Sequence, residues 1–169
     1  MKARILAFCL IFCCLGVFAE LKYFDVLFGI NSIETTETLE GIQTETVFTL
    51  HGTGNLINIV KMERANGRRE YHLACSEMNN SFQSVVVRIS IDGTIHEFIE
   101  DSPRFSASRN RASWNLSNEI INQLLGCNEI AIEFGGKVHR YNENDFAIDS
   151  YGRISTFADP IGRIKQFLE

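Results

Sequence analysis

The side chains with chemistry to offer are five cysteines, four histidines and one run of arginines. Acyl transfer needs a nucleophile within reach of a base. No Gly-x-Ser-x-Gly elbow occurs, and the serines fall in turn-forming stretches. Cys127 is the nearest approach to a nucleophile, but it directly follows Gly126, where a helix is expected to stop. His51, His72, His96 and His139 are scattered, and none stands in a ligand spacing such as HExxH. His72 and Cys75 lie on an expected strand at odd separation, so their side chains point to opposite faces, as do those of His96 and Glu97. No CxxC offers a zinc ribbon or a redox pair. Gly52-Thr53-Gly54 and Gly135-Gly136 read as turns and form no phosphate-binding loop. The pattern predicts no catalytic residue, no metal ligand and no cofactor site. One cluster stands out in an acidic chain: Arg104, Arg109 and Arg111 read either as a contact for an anion or acidic partner, or as a solvated loop.

The cysteines divide by position. Cys9, Cys13 and Cys14 fall in a stretch with the anatomy of a secretory signal. Lys2 and Arg4 open it, an uncharged apolar run extends from Ile5 to Phe18, and Val17-Phe18-Ala19 supplies a cleavage pattern. The run is short for the ~30 Å of hydrocarbon that a permanent anchor must cross. A lipoprotein reading would use Cys13 or Cys14, but Phe12 or Cys13 then stands where a small residue is usual. Residues 1–19 are therefore expected to be a signal peptide, residues 20–45 an N-terminal arm or loop, and residues 46–169 one β-rich domain. Loss of Lys2 and Arg4 leaves 14 basic side chains against 21 acidic ones, a net charge of −7. That balance argues against nucleic acid and anionic membrane, and fits a basic protein partner. The mature chain is expected to be periplasmic or secreted, with no integral span. Cys75 and Cys127 remain, and an even pair in an exported domain predicts a disulfide. Closing that loop would contribute ~4 kcal/mol in the chain-entropy account. The other reading is two separate buried thiols, because cysteine packs as a small hydrophobe. Asn79 and Asn115 stand in glycosylation sequons, relevant only in a eukaryotic secretory route.

Most of the chain reads as β structure. Ser32 to Gln43 is rich in Thr and Glu and gives no period, which is why it reads as an arm. Val47 to Leu50, Leu56 to Glu63 and Arg69 to Ser76 are strands, the last two joined at Asn66-Gly67. Tyr71, Leu73 and Cys75 alternate with polar neighbours, placing Cys75 on the apolar face. Val85, Val87, Ile89 and Ile91 share a face, and Asp92-Gly93 turns that strand into Thr94 to Glu100. Ser102-Pro103 breaks the run, Arg104 to Arg111 reads as a basic loop, and Ala112-Ser113-Trp114 as a short return strand. Ser117 to Leu125 has helical spacing, with Ser117 as cap and Gly126 as stop. Ile130, Ile132 and Phe134 alternate, Gly135-Gly136 turns into Lys137 to Tyr141, and Phe146-Ala147-Ile148 adds a short strand. Asp159-Pro160 opens a last helix with Ile161, Ile164, Phe167 and Leu168 as its stripe. About eight strands joined by hairpins, with two short helices, predict a mainly β to α+β class: an antiparallel sandwich or open barrel.

From Val85 to Phe157 the order of features resembles small periplasmic envelope proteins of the type VI secretion accessory and invasion-associated locus B kind. The features are the strand ending Ile91-Asp92-Gly93, the Trp114 strand, the helix from Asn118 to Leu125, the strand from Glu129 to Glu133 and a closing hairpin. The resemblance implies a β-rich, exported, non-enzymatic protein and carries over no functional residue. The expected function is a non-catalytic exported envelope or secreted protein, serving as a protein-interaction or envelope-assembly module. An inhibitor or ligand-binding module against a basic hydrolase is the alternative, on size, acidity and the expected disulfide. A hydrolase with an unfamiliar site is the second alternative.

Overall fold

The computed structural model describes residues 28–51, 55–78, 83–106, 109–142, 147–148, 154–155 and 159–169. The signal stretch, the Asn79 sequon and Phe146 lie outside them. Five hairpins build the two main sheets. They are β1 (Gly29–Thr38) with β2 (Gly41–His51), β3 (Leu56–Glu63) with β4 (Arg69–Met78), β5 (Val85–Ile91) with β6 (Thr94–Glu100), β7 (Arg104–Ser106) with β8 (Arg109–Asn115), and β9 (Glu129–Phe134) with β10 (Lys137–Asn142). Helix α1 (Asn118–Gly126) joins β8 to β9. A small pair, β11 (Ala147–Ile148) and β12 (Ile154–Ser155), precedes helix α2 (Pro160–Leu168).

The larger sheet runs β1-β2-β3-β4-β8-β7 and the smaller β10-β9-β5-β6, each antiparallel and neither closed. The class is mainly β, an open sandwich with two short helices, as the sequence predicts. The alternation in β5 acts as expected: Val85, Val87, Ile89 and Ile91 are all buried. They meet Ile57, Ile59, Leu73 and Cys75 of the larger sheet and Ile130, Ile132 and Phe134 of β9 in one core. Both helices close that core. Ser117 caps α1 by accepting from the Ile120 amide, and Ile121 and Leu124 face inward. Asp159 caps α2 by accepting from the Gly162 amide, Pro160 takes the first position, and Ile161, Ile164, Phe167 and Leu168 are buried. The last carbonyls of α2 would otherwise lack partners. Lys61 Nζ donates to Phe167 O at 2.7 Å, Tyr71 Oη to Leu168 O at 2.6 Å, and Arg69 to Glu169 O.

Three local expectations change. The stretch read as an arm is the β1–β2 hairpin, which adds two strands to the larger sheet. Its residues are exposed on both faces over much of β1, so no burial period marks it in the sequence. The stretch Arg104 to Arg111 read as a loop forms β7 and the start of β8. Asn66-Gly67 does not make a two-residue turn: Glu63 pairs with Arg69, the Arg64 amide donates to Arg68 O, and only Gly67 takes positive φ. Asn66 Oδ1 instead accepts from the Arg68 amide at 2.9 Å. Among the described residues, no helix is long and apolar enough to cross a membrane.

Candidate functional site

Strand register decides what the arginines do. In β7–β8, Arg104 lies directly opposite Arg111, and Arg111 lies opposite Ser76 of β4. Residues in register share a face, so these side chains stand together on the face of the larger sheet turned away from the core. Their Cβ atoms are about 5 Å apart in such a pairing, close enough for two like charges to repel. Arg88 shows the opposite arrangement on the smaller sheet. It is in register with Glu97 on one side and Glu133 on the other, and pairs with both, at 2.5 and 3.3 Å. Among the described residues, no carboxylate makes such a pair with Arg104 or Arg111.

The two arginines line one end of a cleft of about 760 Å³. The strand order places the cleft across β2, β3, β4, β8 and β7. Glu45 of β2 stands at its far end, Asn58 of β3 and Ser76 of β4 line the middle, and Ser113 flanks Arg111 on β8. Glu100 at the end of β6, with Ser102 and Pro103 of the connection to β7, forms a wall. Glu100 is held there by the Ser102 amide, which donates to its Oε1 at 3.0 Å. Ser76 Oγ is buried without a hydrogen-bond partner among the described residues. Arg109 lies on the same face, in register with Met78, outside the cleft lining. Of the three arginines singled out by sequence, the structure therefore brings two to one site. Glu45, Asn58 and Ser76 carry no local signal, since they join the site only through pairing between strands distant in sequence.

Cys75 and Cys127 are both buried, and the structure has no disulfide between them. Cys75 sits mid-sheet between Ile57 and Ala112. Burial pushes its thiol up to about 12, beyond what a hydrogen bond from the Ala112 backbone offsets. Cys127 Sγ turns back to donate to Leu124 O at 3.2 Å, at the end of α1. The Cys75 arrangement makes no reactive thiolate. The histidines end on four strands: His51 on β2, His72 on β4, His96 on β6 and His139 on β10. His96 Nε2 is engaged by Gln123 Oε1 of α1 at 2.6 Å. Asn115 is exposed at the end of β8, and the Ser117 of its sequon is the cap of α1.

A second surface feature is the hairpin itself. Among the described residues, β1 has no strand on its outer side. Residues 28–50 carry four glutamates and no lysine or arginine. Ile30, Ile33, Leu39 and Ile42 are exposed along it. Such a strand is an acidic, partly apolar edge ten residues long. Comparison with known protein families, curated proteins and solved structures finds no match.

Proposed function

We propose that this chain is a non-catalytic, exported protein-interaction module, and that its binding element is the edge strand β1. The occupant is an extended, basic segment of another protein. The observation that carries this reading is the long edge of β1, open among the described residues and bordered by Glu34, Glu37 and Glu40 and by exposed Ile30 and Ile33. An open edge offers backbone hydrogen bonds to an added strand, and alternate side chains beside it set which strand fits. Here those side chains favour cations and short apolar groups. Export rests on the N-terminal anatomy, and the resemblance to envelope proteins points the same way.

The test is a photo-crosslinking residue placed at Ile33 in the full chain, expressed in its own host. The expected product is a cross-link to one basic protein, lost with Glu34→Lys and Glu37→Lys and weakened by salt. If that partner is a hydrolase whose activity falls on binding, the inhibitor form of the reading is selected. A cross-link that survives both charge reversals overturns the edge as binding element. Turnover of an ester, peptide or glycan substrate by the purified chain overturns the non-catalytic reading.

A further inference from the structure

We propose that the cleft on the outer face of the larger sheet binds a phosphate monoester, held by Arg104 and Arg111, with the rest of a hydroxyl-bearing ligand lying toward Glu45. The first support is the register. Arg104 and Arg111 face each other across one strand pair and line the same cleft, and no carboxylate among the described residues pairs with either. Two adjacent guanidiniums present paired N–H donors to oxygens. A phosphate monoester has three terminal oxygens and close to two negative charges at neutral pH, so it neutralises both arginines at once. A carboxylate would leave one positive charge unmatched.

The second support is Ser76. Its strand position is opposite Arg111, and its hydroxyl oxygen is buried in the lining with no partner among the described residues. A hydroxyl beside two guanidiniums can donate to a phosphate oxygen, which would satisfy it.

The third support is the polarity of the cleft along its length. From β2 to β7 there are four strand spacings, roughly 19 Å at about 4.8 Å each. The arginines line one end and the Glu45 carboxylate the other, with the Asn58 amide between; Glu100 also lines the wall, one of its carboxylate oxygens accepting from the Ser102 amide. The carboxylate accepts hydrogen bonds from hydroxyls and repels a second phosphate, and the amide can pair with hydroxyls. The ligand class is therefore a sugar or polyol monophosphate, either free or as a headgroup. The volume, about 760 Å³, falls within the roughly 300–1,000 Å³ of small-molecule sites. This site is separate from the β1 edge, so it can fail while the edge reading stands.

The experiment is calorimetric titration of the purified chain with glucose 6-phosphate, inorganic phosphate, glucuronate and glucose. Glucose 6-phosphate is expected to bind most tightly, inorganic phosphate at least tenfold more weakly, and glucuronate and glucose to give no heat. Arg104→Gln and Arg111→Gln should each weaken the sugar phosphate tenfold or more, while Arg109→Gln leaves it within twofold. Arg104 and Arg111 are exposed and Arg109 is half-buried, and unchanged melting curves confirm the fold of each variant. A vesicle carrying phosphatidylglycerol phosphate, tested beside the free sugar phosphate, separates a lipid headgroup from a soluble ligand. Absence of binding by every phosphate compound overturns the proposal. So does equal binding of glucuronate, or affinity that the Arg104 and Arg111 substitutions leave unchanged.

Discussion

Cys75 gives the sharpest test of the packing. Its thiol is buried at mid-sheet and pushed up from 9.0 to about 12, chiefly by loss of solvation. At pH 8 about one such thiol in ten thousand is ionised, against about one in ten at the ordinary value, so alkylation of the folded state should slow by about a thousandfold. The same effect bears on stability. The unfolded chain releases the proton above about pH 9 while the folded chain retains it to about 12. The unfolded state then binds fewer protons across that window, so stability falls as pH rises through it. Below the unfolded value the contribution is complete. From pH 8 to pH 10 the loss is about 1.4 kcal/mol from this group alone. The assay is iodoacetamide labelling followed by mass spectrometry, with urea melts at pH 8 and pH 10 on the native chain and on Cys75→Ala. Labelling of Cys75 should track global unfolding, and the excess pH sensitivity should vanish in the variant. Labelling at the unfolded rate under native conditions would refute the burial. A Cys75–Cys127 bridge found by non-reducing peptide mapping would refute the separation of the two thiols.

Three further outcomes follow from named contacts. Tyr71→Phe removes the donor to Leu168 O and should cost about 1 kcal/mol, or roughly 3 °C in Tm for a domain of this size, read by calorimetry. Ile164→Ala empties a site with no solvent exposure under α2 and should cost about 2–5 kcal/mol in a urea melt. Asp92 accepts from the Asn128 and Glu129 amides and stands at positive φ, so Asp92→Ala should cost about 1–3 kcal/mol, whereas Asp92→Asn keeps an acceptor and the turn and should cost less.

What the sequence made legible follows from how strongly burial marks each element. β5 alternates Val85, Val87, Ile89 and Ile91 against polar or exposed neighbours, so its face and its Asp92-Gly93 turn could be read directly. Helix α2 announces itself through Asp159-Pro160 and an apolar stripe. β1 and the outer half of β2 bury little, so their residues are free to be Thr and Glu, and periodicity has nothing to report. Their turn is also untypical. Leu39-Glu40 carries no Asn-Gly or Asp-Gly, and the positive φ falls on Gly41 just after them. Thr38 supports the turn by donating its hydroxyl to Gly41 O at 2.7 Å. The cleft was legible only in part. Three arginines within eight residues marked its basic end, but which two meet depends on the β7–β8 register. Alternation likewise placed Cys75 on the apolar face, yet it could not say which core residues that face would meet.

The edges of the two sheets differ in how they are protected, and that difference bears on why β1 is acidic. β7 is only three residues long and follows buried Pro103, which has no amide to donate. β6 has its Ile99 carbonyl taken by Trp114 Nε1 at 3.1 Å. β10 packs beside α2. β1 alone is ten residues long with none of these devices along its outer side among the described residues, apart from a register shift between Ile30 and Ser32 at its start. An edge of that length with exposed isoleucines would pair with its own copy unless something opposed it. Glu34, Glu37 and Glu40 supply the opposition, because antiparallel self-pairing would bring like charges face to face. Under the proposed function the same charges would attract a basic strand, so one set of residues would both oppose self-pairing and select the partner. Neutralising the set separates the two effects. Glu34→Gln, Glu37→Gln and Glu40→Gln together should add concentration-dependent self-association, relative to the native chain, in analytical ultracentrifugation, with the fold intact by circular dichroism. A variant that stays monomeric at high concentration would mean that the edge is closed by something other than charge.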